Sequence, residues 1–283
     1  MTTTTPTPSL TLNNGVAIPQ LGFGVFQVPP EETRQTVSTA LEVGYRHIDT
    51  AAAYRNEKAV GQAIADSGIP RDELFITTKL WNADHARAAE AFETSLERLG
   101  LDRVDLYLIH WPVPKRDGYV TAWLALQEVY ATGRARAIGV SNFTQAHLER
   151  LLAETTVVPA VDQVELHPYF TQETLRGYLA EHDIHTEAWS PLGQGGDLLG
   201  DVTIIELATR LGKTPAQVIL RWHIQLGNIV FPKSSTPERI RSNFEIFDFE
   251  LEPADVGAIS ALHGRRGTAE GRLGPDPDDF DVA

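Results

Sequence analysis

Leu21-Gly22-Phe23-Gly24-Val25-Phe26-Gln27-Val28-Pro29-Pro30, residues 21–30, is the junction that decides the fold. It joins a first β-rich run, Gln20 to Gly24, to a first segment of helical period, Thr33 to Leu41. At such a junction an open doubly wound sheet holding a dinucleotide carries G-x-G-x-x-G. Here Gln27 stands at the sixth position, so that fingerprint is absent. Seven more apolar runs of strand character follow: Tyr45 to Asp49, Leu74 to Lys79, Val104 to Trp111, Ala135 to Val140, Val161 to Leu166, His185 to Trp189 and Ile229 to Pro232. Helical segments separate them, with their own punctuation. Asp84 precedes Ala86 to Leu99, and Gly100 follows it. Strict β-then-α alternation implies right-handed crossovers and a parallel sheet. Eight units in about 250 residues favour its closed form, a single (β/α)8 TIM barrel of the α/β class.

Ahead of the first unit, Leu10-Thr11-Leu12 and Val16-Ala17-Ile18 flank Asn13-Asn14-Gly15, a hairpin signal. The expected architecture therefore has an N-terminal hairpin closing the barrel bottom and a C-terminal helix plus tail. The 283 residues, 42% hydrophobic, read as one domain over 1–283, with 1–8 and the acidic 275–283 as solvated tails on composition. A formal net charge of -14 disfavours nucleic acid and anionic membrane surfaces as partners. There is no cysteine, which excludes disulfides, thiolate metal sites and thiol nucleophiles. MTTTTPTPSL has no charged n-region with an apolar h-region behind it, and no run of 18 apolar residues occurs, so a soluble cytoplasmic protein is expected.

In a barrel of this kind, reactive groups sit just past the carboxyl ends of the strands. Asp49 ends YRHID, Tyr54 follows shortly, Lys79 ends LFITTK and His110 ends VDLYLIH. Each has a plainer reading: Asp49 as a cap, Tyr54 as rim packing, Lys79 as surface, His110 as a satisfied buried imidazole. Together they make a proton-donating unit. A phenol surrenders its proton poorly at neutral pH unless something favours the phenolate, and a neighbouring ammonium does so by lowering the phenol pKa. Asp49 would hold Lys79 charged and aimed, and His110 would orient a carbonyl oxygen. His167 and His185 lie on different strands and no cysteine supplements them, so no metal site is expected.

GYRHIDTAAAYRNEKAVG, LDRVDLYLIHWP, IGVSNF, PAVDQVELHPY and FPKSSTPERI, spanning Gly44 to Ile240 in order, resemble the successive motifs of the aldo-keto reductase superfamily. The resemblance implies a catalytic tetrad at Asp49, Tyr54, Lys79 and His110. It also implies an extended nicotinamide dinucleotide, NADPH/NADP+, bound without a doubly wound sheet. By the same resemblance Ser141, Asn142 and Gln163 meet the nicotinamide carboxamide, and Trp189 stacks on the ring, where other members more often carry tyrosine. Leu192 and Gln194 lie by the pyrophosphate. Lys233, Ser234, Ser235, Thr236 and Arg239 hold the 2'-phosphate, and Asn243 contacts adenine. A lysine and an arginine flanking hydroxyls at a helix N-terminus suit that anion. The plain readings are turn or cap residues for Ser141, Asn142 and Gln163, and a surface loop for residues 233–239.

Three positions depart from the family pattern. Asp162 stands for the usual Asn, Ser235 for a common Val and Ser242 for a frequent Glu or Gln, which puts cofactor affinity in doubt. Strand alternation allows Asp162 a place away from the nicotinamide. Phe23, Trp81 and Trp111, with Ala51 and the C-terminal tail, are the expected walls of an apolar substrate pocket, core packing being the alternative for the aromatics. The WSPLGQG segment, residues 189–195, is similar to the bacterial 2,5-diketo-D-gluconate reductase group. Small aldehydes, dicarbonyls, keto sugars or keto acids are the implied substrates of a monomeric enzyme. Two rivals stand beside this: an NADPH-binding redox sensor with little turnover, and a Schiff-base isomerase or lyase using Lys79. The second leaves Ser141, Asn142, Gln163 and the Lys233 to Arg239 segment unexplained together.

Overall fold

The computed structural model describes residues 7–265 and 271–282. Of the segments read as tails, residues 1–6 and Ala283 lie outside the described residues. The hairpin forms as its Asn-Gly turn demands, β1 (Ser9–Thr11) antiparallel to β2 (Ala17–Pro19) with Leu10 opposite Ile18. Gly15 takes φ 83, a left-handed value that a glycine adopts without penalty.

Eight parallel strands follow: β3 (Phe23–Gly24), β4 (His47–Asp49), β5 (Phe75–Leu80), β6 (Val104–Ile109), β7 (Ala135–Ser141), β8 (Val161–Glu165), β9 (His185–Trp189) and β10 (Ile229–Val230). Each pairs with its successor in sequence order. The ring closes where Leu21 bridges Val230 in parallel, Gly22 N–H donates to Val230 O at 2.8 Å and Val230 N–H donates to Gln20 O at 2.9 Å. The glycines of residues 21–30 serve this seam. A Cβ on Gly22 would stand 2.8 Å from the His47 ring, and one on Gly24 would stand 3.0 Å from Phe231 O. A buried ring is the obstacle at Gly22 and a backbone carbonyl at Gly24, and glycine leaves room for both.

The hairpin seals the amino-terminal end of the barrel. Asn13 Nδ2 donates to Pro159 O and Asn14 Nδ2 to Arg136 O, both at 2.9 Å, pinning the turn beneath β7 and β8. Leu12 and Ile18, both buried, pack with Phe75, Leu106, Ala137, Val161 and Ile229 in an apolar plug. The hydrophobic effect thus closes one end, leaving the carboxyl ends of the strands to form the opening.

Helices cover the outside. The first, Pro30–Val43, starts with proline in its first turn and ends at Gly44, and Ala88–Leu99 ends at Gly100 with φ 65. Asp84 stands four residues ahead of that second helix, which starts at Ala88 rather than at the expected Ala86. It lies in a 3-10 turn, Asn82–Arg87, and accepts from Arg87 Nε at 2.8 Å. Two helices, Val202–Leu211 and Pro215–Gln225, lie between β9 and β10. The expected C-terminal helix is Pro253–Ser260, docked by a bond from Trp222 Nε1 to Ser260 Oγ at 3.0 Å. Among the described residues no helix is long and apolar enough to cross a membrane.

Residues 275–282 differ from the solvated tail that composition suggests. Lys115 pairs with Asp279 at 3.1 Å, Arg116 with Asp281 at 2.5 Å, and Asn82 Nδ2 donates to Val282 O at 2.8 Å. Phe280 lies against Trp111 with ring centroids 4.2 Å apart. Exposed ion pairs are worth little, about 0–1 kcal/mol each, so the aromatic contact is the firmer anchor.

Candidate active site

At the open end of the barrel, β4 finishes on Asp49 and β5 carries Lys79 one strand away. Lys79 Nζ donates to Asp49 Oδ1 at 2.7 Å, to Asp49 Oδ2 at 2.8 Å and to Thr50 O at 2.9 Å. Lys79 is wholly buried and Asp49 nearly so. An ammonium costs several kcal/mol to bury unless each N–H finds an acceptor, and here all three do. Burial alone would lower the Lys79 pKa, but the Asp49 carboxylate and the Tyr54 oxygen more than compensate and raise it.

Tyr54 enters from the 3-10 turn Ala52–Tyr54 that leaves β4, and Lys79 Nζ stands 5.1 Å from the centre of its ring. The phenol pKa is raised, not lowered as expected from the lysine. Burial is the largest influence and outweighs the lowering by Lys79. His110 meets the Tyr54 ring edge-on at 5.6 Å and the Trp81 ring at 5.3 Å. Burial first, then the charge of Lys79, holds the His110 pKa well below its ordinary value, so the imidazole is neutral at pH 7. Its Nδ1 is buried and has no partner among the described residues.

The ends of β7, β8 and β9 supply the second group. Ser141 Oγ donates to Gln163 O at 2.7 Å. Asn142, in the left-handed region at φ 63, donates from Nδ2 to His110 O at 3.0 Å and accepts from Trp189 Nε1 at 2.8 Å. Gln163 Nε2 donates to Asp49 Oδ2 at 3.0 Å, which ties this group to the first. Its neighbour Asp162 points the other way, as strand alternation requires, and accepts from Phe143 N–H at 3.4 Å. Burial pushes the Asp162 carboxyl well above its usual range. Ser141, Asn142, Gln163 and Trp189 thus gather around the tetrad.

Further along the same rim, Leu192 is partly buried, and exposed Gln194 sits at φ 57 inside a 3-10 turn, Gly193–Gly195. After β10, Ser234 is buried and its Oγ accepts from Thr236 N–H at 3.1 Å, just before the helix Pro237–Phe244. Lys233, Ser235, Thr236 and Arg239 are exposed, and Asn243 is buried.

The pocket walls require two corrections. Phe23 is in the core, 1% exposed, edge-on to Tyr45 at 5.4 Å. Phe26, three residues on, is the rim aromatic: it is 53% exposed and its ring lies 5.0 Å from that of Tyr54. Ala51 is likewise fully buried, whereas Ala52 and Ala53 beside Tyr54 are partly exposed. Trp81, just past β5, is partly exposed and Trp111, just past β6, is almost wholly buried; Phe280 lies 6.5 Å from Trp81 and 4.2 Å from Trp111. Because β3 is only two residues long, Phe26 rather than Phe23 lies past the strand end, and a strand-length argument could have found it. Phe280 had no local signal beyond being the one aromatic in an acidic tail.

Glu165 is a further residue that sequence reasoning missed. Buried at the end of β8, it accepts from Leu273 N–H at 2.6 Å and Gly274 N–H at 2.8 Å, and lies 3.0 Å from His167 Nε2. It fastens the root of the tail beside Trp189. Among the described residues no group of three or more His, Cys, Asp or Glu could hold a metal ion.

A charged lysine beside a protonated tyrosine, with a neutral histidine alongside, is an arrangement that can give a proton to an oxygen, and on a barrel of this kind it fits the class of carbonyl oxidoreductases. The chain belongs to the aldo/keto reductase family, whose model matches residues 20–263. It is 55% identical over 275 residues to an aldo-keto reductase of Mycolicibacterium smegmatis, covering 96% of this chain and 98% of that protein. It is 51% identical over 270 residues to the methylglyoxal reductase DkgA of Escherichia coli, covering 95% and 96%. Its backbone superposes with a TM-score of 0.92 on the crystal structure of a mutant of Gox0644 in complex with NADPH, at 42% identity over 98% of this chain and 100% of that one.

Proposed function

We propose that the protein reduces small carbonyl compounds to alcohols with NADPH, Tyr54 being the proton donor. The observation that carries this reading is Lys79 Nζ, bound by the Asp49 carboxylate and held 5.1 Å from the Tyr54 ring centre. Burial keeps the phenol protonated until it is needed. As the proton leaves for a substrate oxygen, the ammonium stabilises the developing phenolate, and Asp49 keeps that ammonium in place. His110, neutral, aligns the oxygen by hydrogen bonding and adds no charge of its own.

The dinucleotide, when bound, supplies the hydride that reduces the carbonyl carbon. The residues present fit it. Gln163, Asn142 and Ser141 cluster at the strand ends beside Trp189, whose indole offers a stacking surface. Exposed Lys233 and Arg239 flank the hydroxyls of Ser234, Ser235 and Thr236 ahead of a helix N-terminus, which favours a 2'-phosphate. The aromatic opening suits small aldehydes, dicarbonyls, keto sugars or keto acids such as 2,5-diketo-D-gluconate, and the relative named for methylglyoxal supports a dicarbonyl. A monomer in the cytoplasm is the setting this reading assigns.

The test is NADPH oxidation, followed by absorbance, over a panel of such carbonyls with wild type and Tyr54→Phe, repeated with NADH. Turnover should fall by about a hundredfold or more in the variant, with NADPH binding retained, and should be weaker with NADH. Tight NADPH binding without turnover on any carbonyl would replace this reading with that of a redox sensor.

A further inference from the structure

Gln163 on β8 and Glu187 on β9 are direct partners in the parallel ladder, so their side chains leave the sheet on the same face. Gln163 Nε2 lies 3.0 Å from Glu187 Oε2 and 3.0 Å from Asp49 Oδ2. A primary amide nitrogen carries two hydrogens, and these two acceptors take both. The direction of the amide is fixed by chemistry: Asp49, doubly bound by the Lys79 ammonium, presents only lone pairs, so nitrogen must face it. Both side-chain hydrogen bonds of Gln163 leave from Nε2, and Oε1 is the end left for a ligand.

We propose that Glu187 is a positioning residue for the cofactor: with Asp49 it claims both N–H bonds of Gln163 and so turns the amide oxygen toward the carboxamide N–H of the nicotinamide. This rests on the reading of Gln163 as a nicotinamide contact. Glu187 is wholly buried, and its Oε1 has no partner among the described residues, an expensive placement for a carboxyl that only filled space. Burial and the nearby Asp49 charge raise its pKa to about 8, so at neutral pH it accepts from Gln163 as a neutral acid. It thereby orients the amide without setting a second negative charge beside Asp49. With Glu187 removed, the amide hangs on one bond to Asp49 and swings about it.

The experiment uses the full chain and two probes, NADPH and its 3-acetylpyridine analogue, in which a methyl group replaces the carboxamide NH2. Dissociation constants are read from quenching of tryptophan fluorescence, with melting temperatures as a check on folding. Wild type should prefer NADPH over the analogue by about three- to tenfold, the worth of one hydrogen bond. Glu187→Leu, which has no acceptor, should bring that preference to within about twofold by weakening NADPH binding, as should Glu187→Met if the leucine variant does not fold. Glu187→Gln keeps an acceptor oxygen and should restore the preference. A preference that persists in the leucine or methionine variant, or that is lost in the glutamine variant too, overturns the role of Glu187 while leaving that of Gln163 intact. If wild type itself shows no preference, or Gln163→Leu leaves it unchanged, the Gln163 contact fails and this proposal with it.

Discussion

The indole N–H of Trp189 donates to Asn142 Oδ1 at 2.8 Å, so the aromatic that ends β9 holds the amide that follows β7. Asn142 is otherwise tied through Nδ2 to His110 O and Ser141 Oγ, each at 3.0 Å. A residue in the left-handed region stays there only when its surroundings over-determine it, and Trp189 completes that set. In Trp189→Phe the ring face survives but the donor is lost. NADPH affinity should fall by about three- to tenfold, the scale of one hydrogen bond. Isothermal titration would read this, and an unchanged dissociation constant would show that Asn142 needs no such support.

Breaking the Lys79–Asp49 pair from one side should be costly twice over. Lys79→Met leaves the Asp49 carboxylate buried without its cation, and removing one partner of a buried pair typically costs about 3–5 kcal/mol. It also removes the charge that favours a Tyr54 phenolate, so turnover should fall by about a hundredfold or more. Urea unfolding and steady-state kinetics together check both effects. A variant that loses activity with full stability would mean that the pair contributes nothing net to the fold.

That Asp49, Tyr54, Lys79 and His110 come together was legible in the sequence because their placement depends on strand ends, and strand ends follow from apolar runs that stop at a polar residue. Asp49, Lys79 and His110 each mark such a stop, and Tyr54 lies five residues past one. The eight strands were legible for the same reason, and the missing fingerprint at Gln27 excluded the open sheet. What alternation could not show is contact between elements distant in the chain. Phe280 reaches Trp111, and Glu165 reaches Gly274, across 109 residues or more. The sign of the Tyr54 shift was equally hidden, since it depends on how much protein surrounds the ring. Phe23 was misplaced by three residues because residues 20–24 close the barrel seam and only Phe23 and Gly24 form a ladder.

The 2'-phosphate reading of residues 233–239 predicts a cofactor-specific loss. Lys233→Ala with Arg239→Ala removes two exposed cations on one rim segment. NADPH should weaken by about tenfold or more, charged hydrogen bonds being the stronger kind, while NADH is nearly unaffected. Comparing kcat/KM for the two cofactors decides it. An equal loss for both would move these side chains from the 2'-phosphate to a general structural role.

Gly274 marks where the tail leaves Glu165, and it has no room for a side chain. A Cβ there would stand 2.5 Å from Trp189 Cη2 and 2.8 Å from Glu165 Oε2. Gly274→Ala must push the tail outward or turn the indole, at about 1–3 kcal/mol of overpacking. Because Trp189 also holds Asn142, the disturbance should reach the cofactor: NADPH affinity should fall, and the emission of Trp189 should shift, identified against Trp189→Phe. An alanine variant with native affinity and native emission would uncouple the tail from that ring.

Stability should carry two opposite pH slopes. Buried His47 and His85, held near 4, and His223, held near 3, all by burial first, remain neutral where an unfolded histidine is half-charged near 6.5. Their stabilisation is full above 6.5 and is lost as pH falls below it. Glu187 works the other way. Its unfolded carboxyl ionises near 4.5 while the folded one keeps its proton to about 8, so its contribution is full below 4.5 and is lost as pH rises toward 8. The histidine contribution levels off about one unit above 6.5, whereas that of Glu187 keeps changing up to about 8 and is absent from Glu187→Gln. Up to that pH wild type should lose up to about 1.4 kcal/mol per pH unit relative to Glu187→Gln, whose side chain does not titrate. Urea unfolding of both proteins at several pH values isolates the share due to Glu187. Parallel curves for the two would mean that Glu187 is ionised in the native protein, and a second negative charge would then stand beside Asp49.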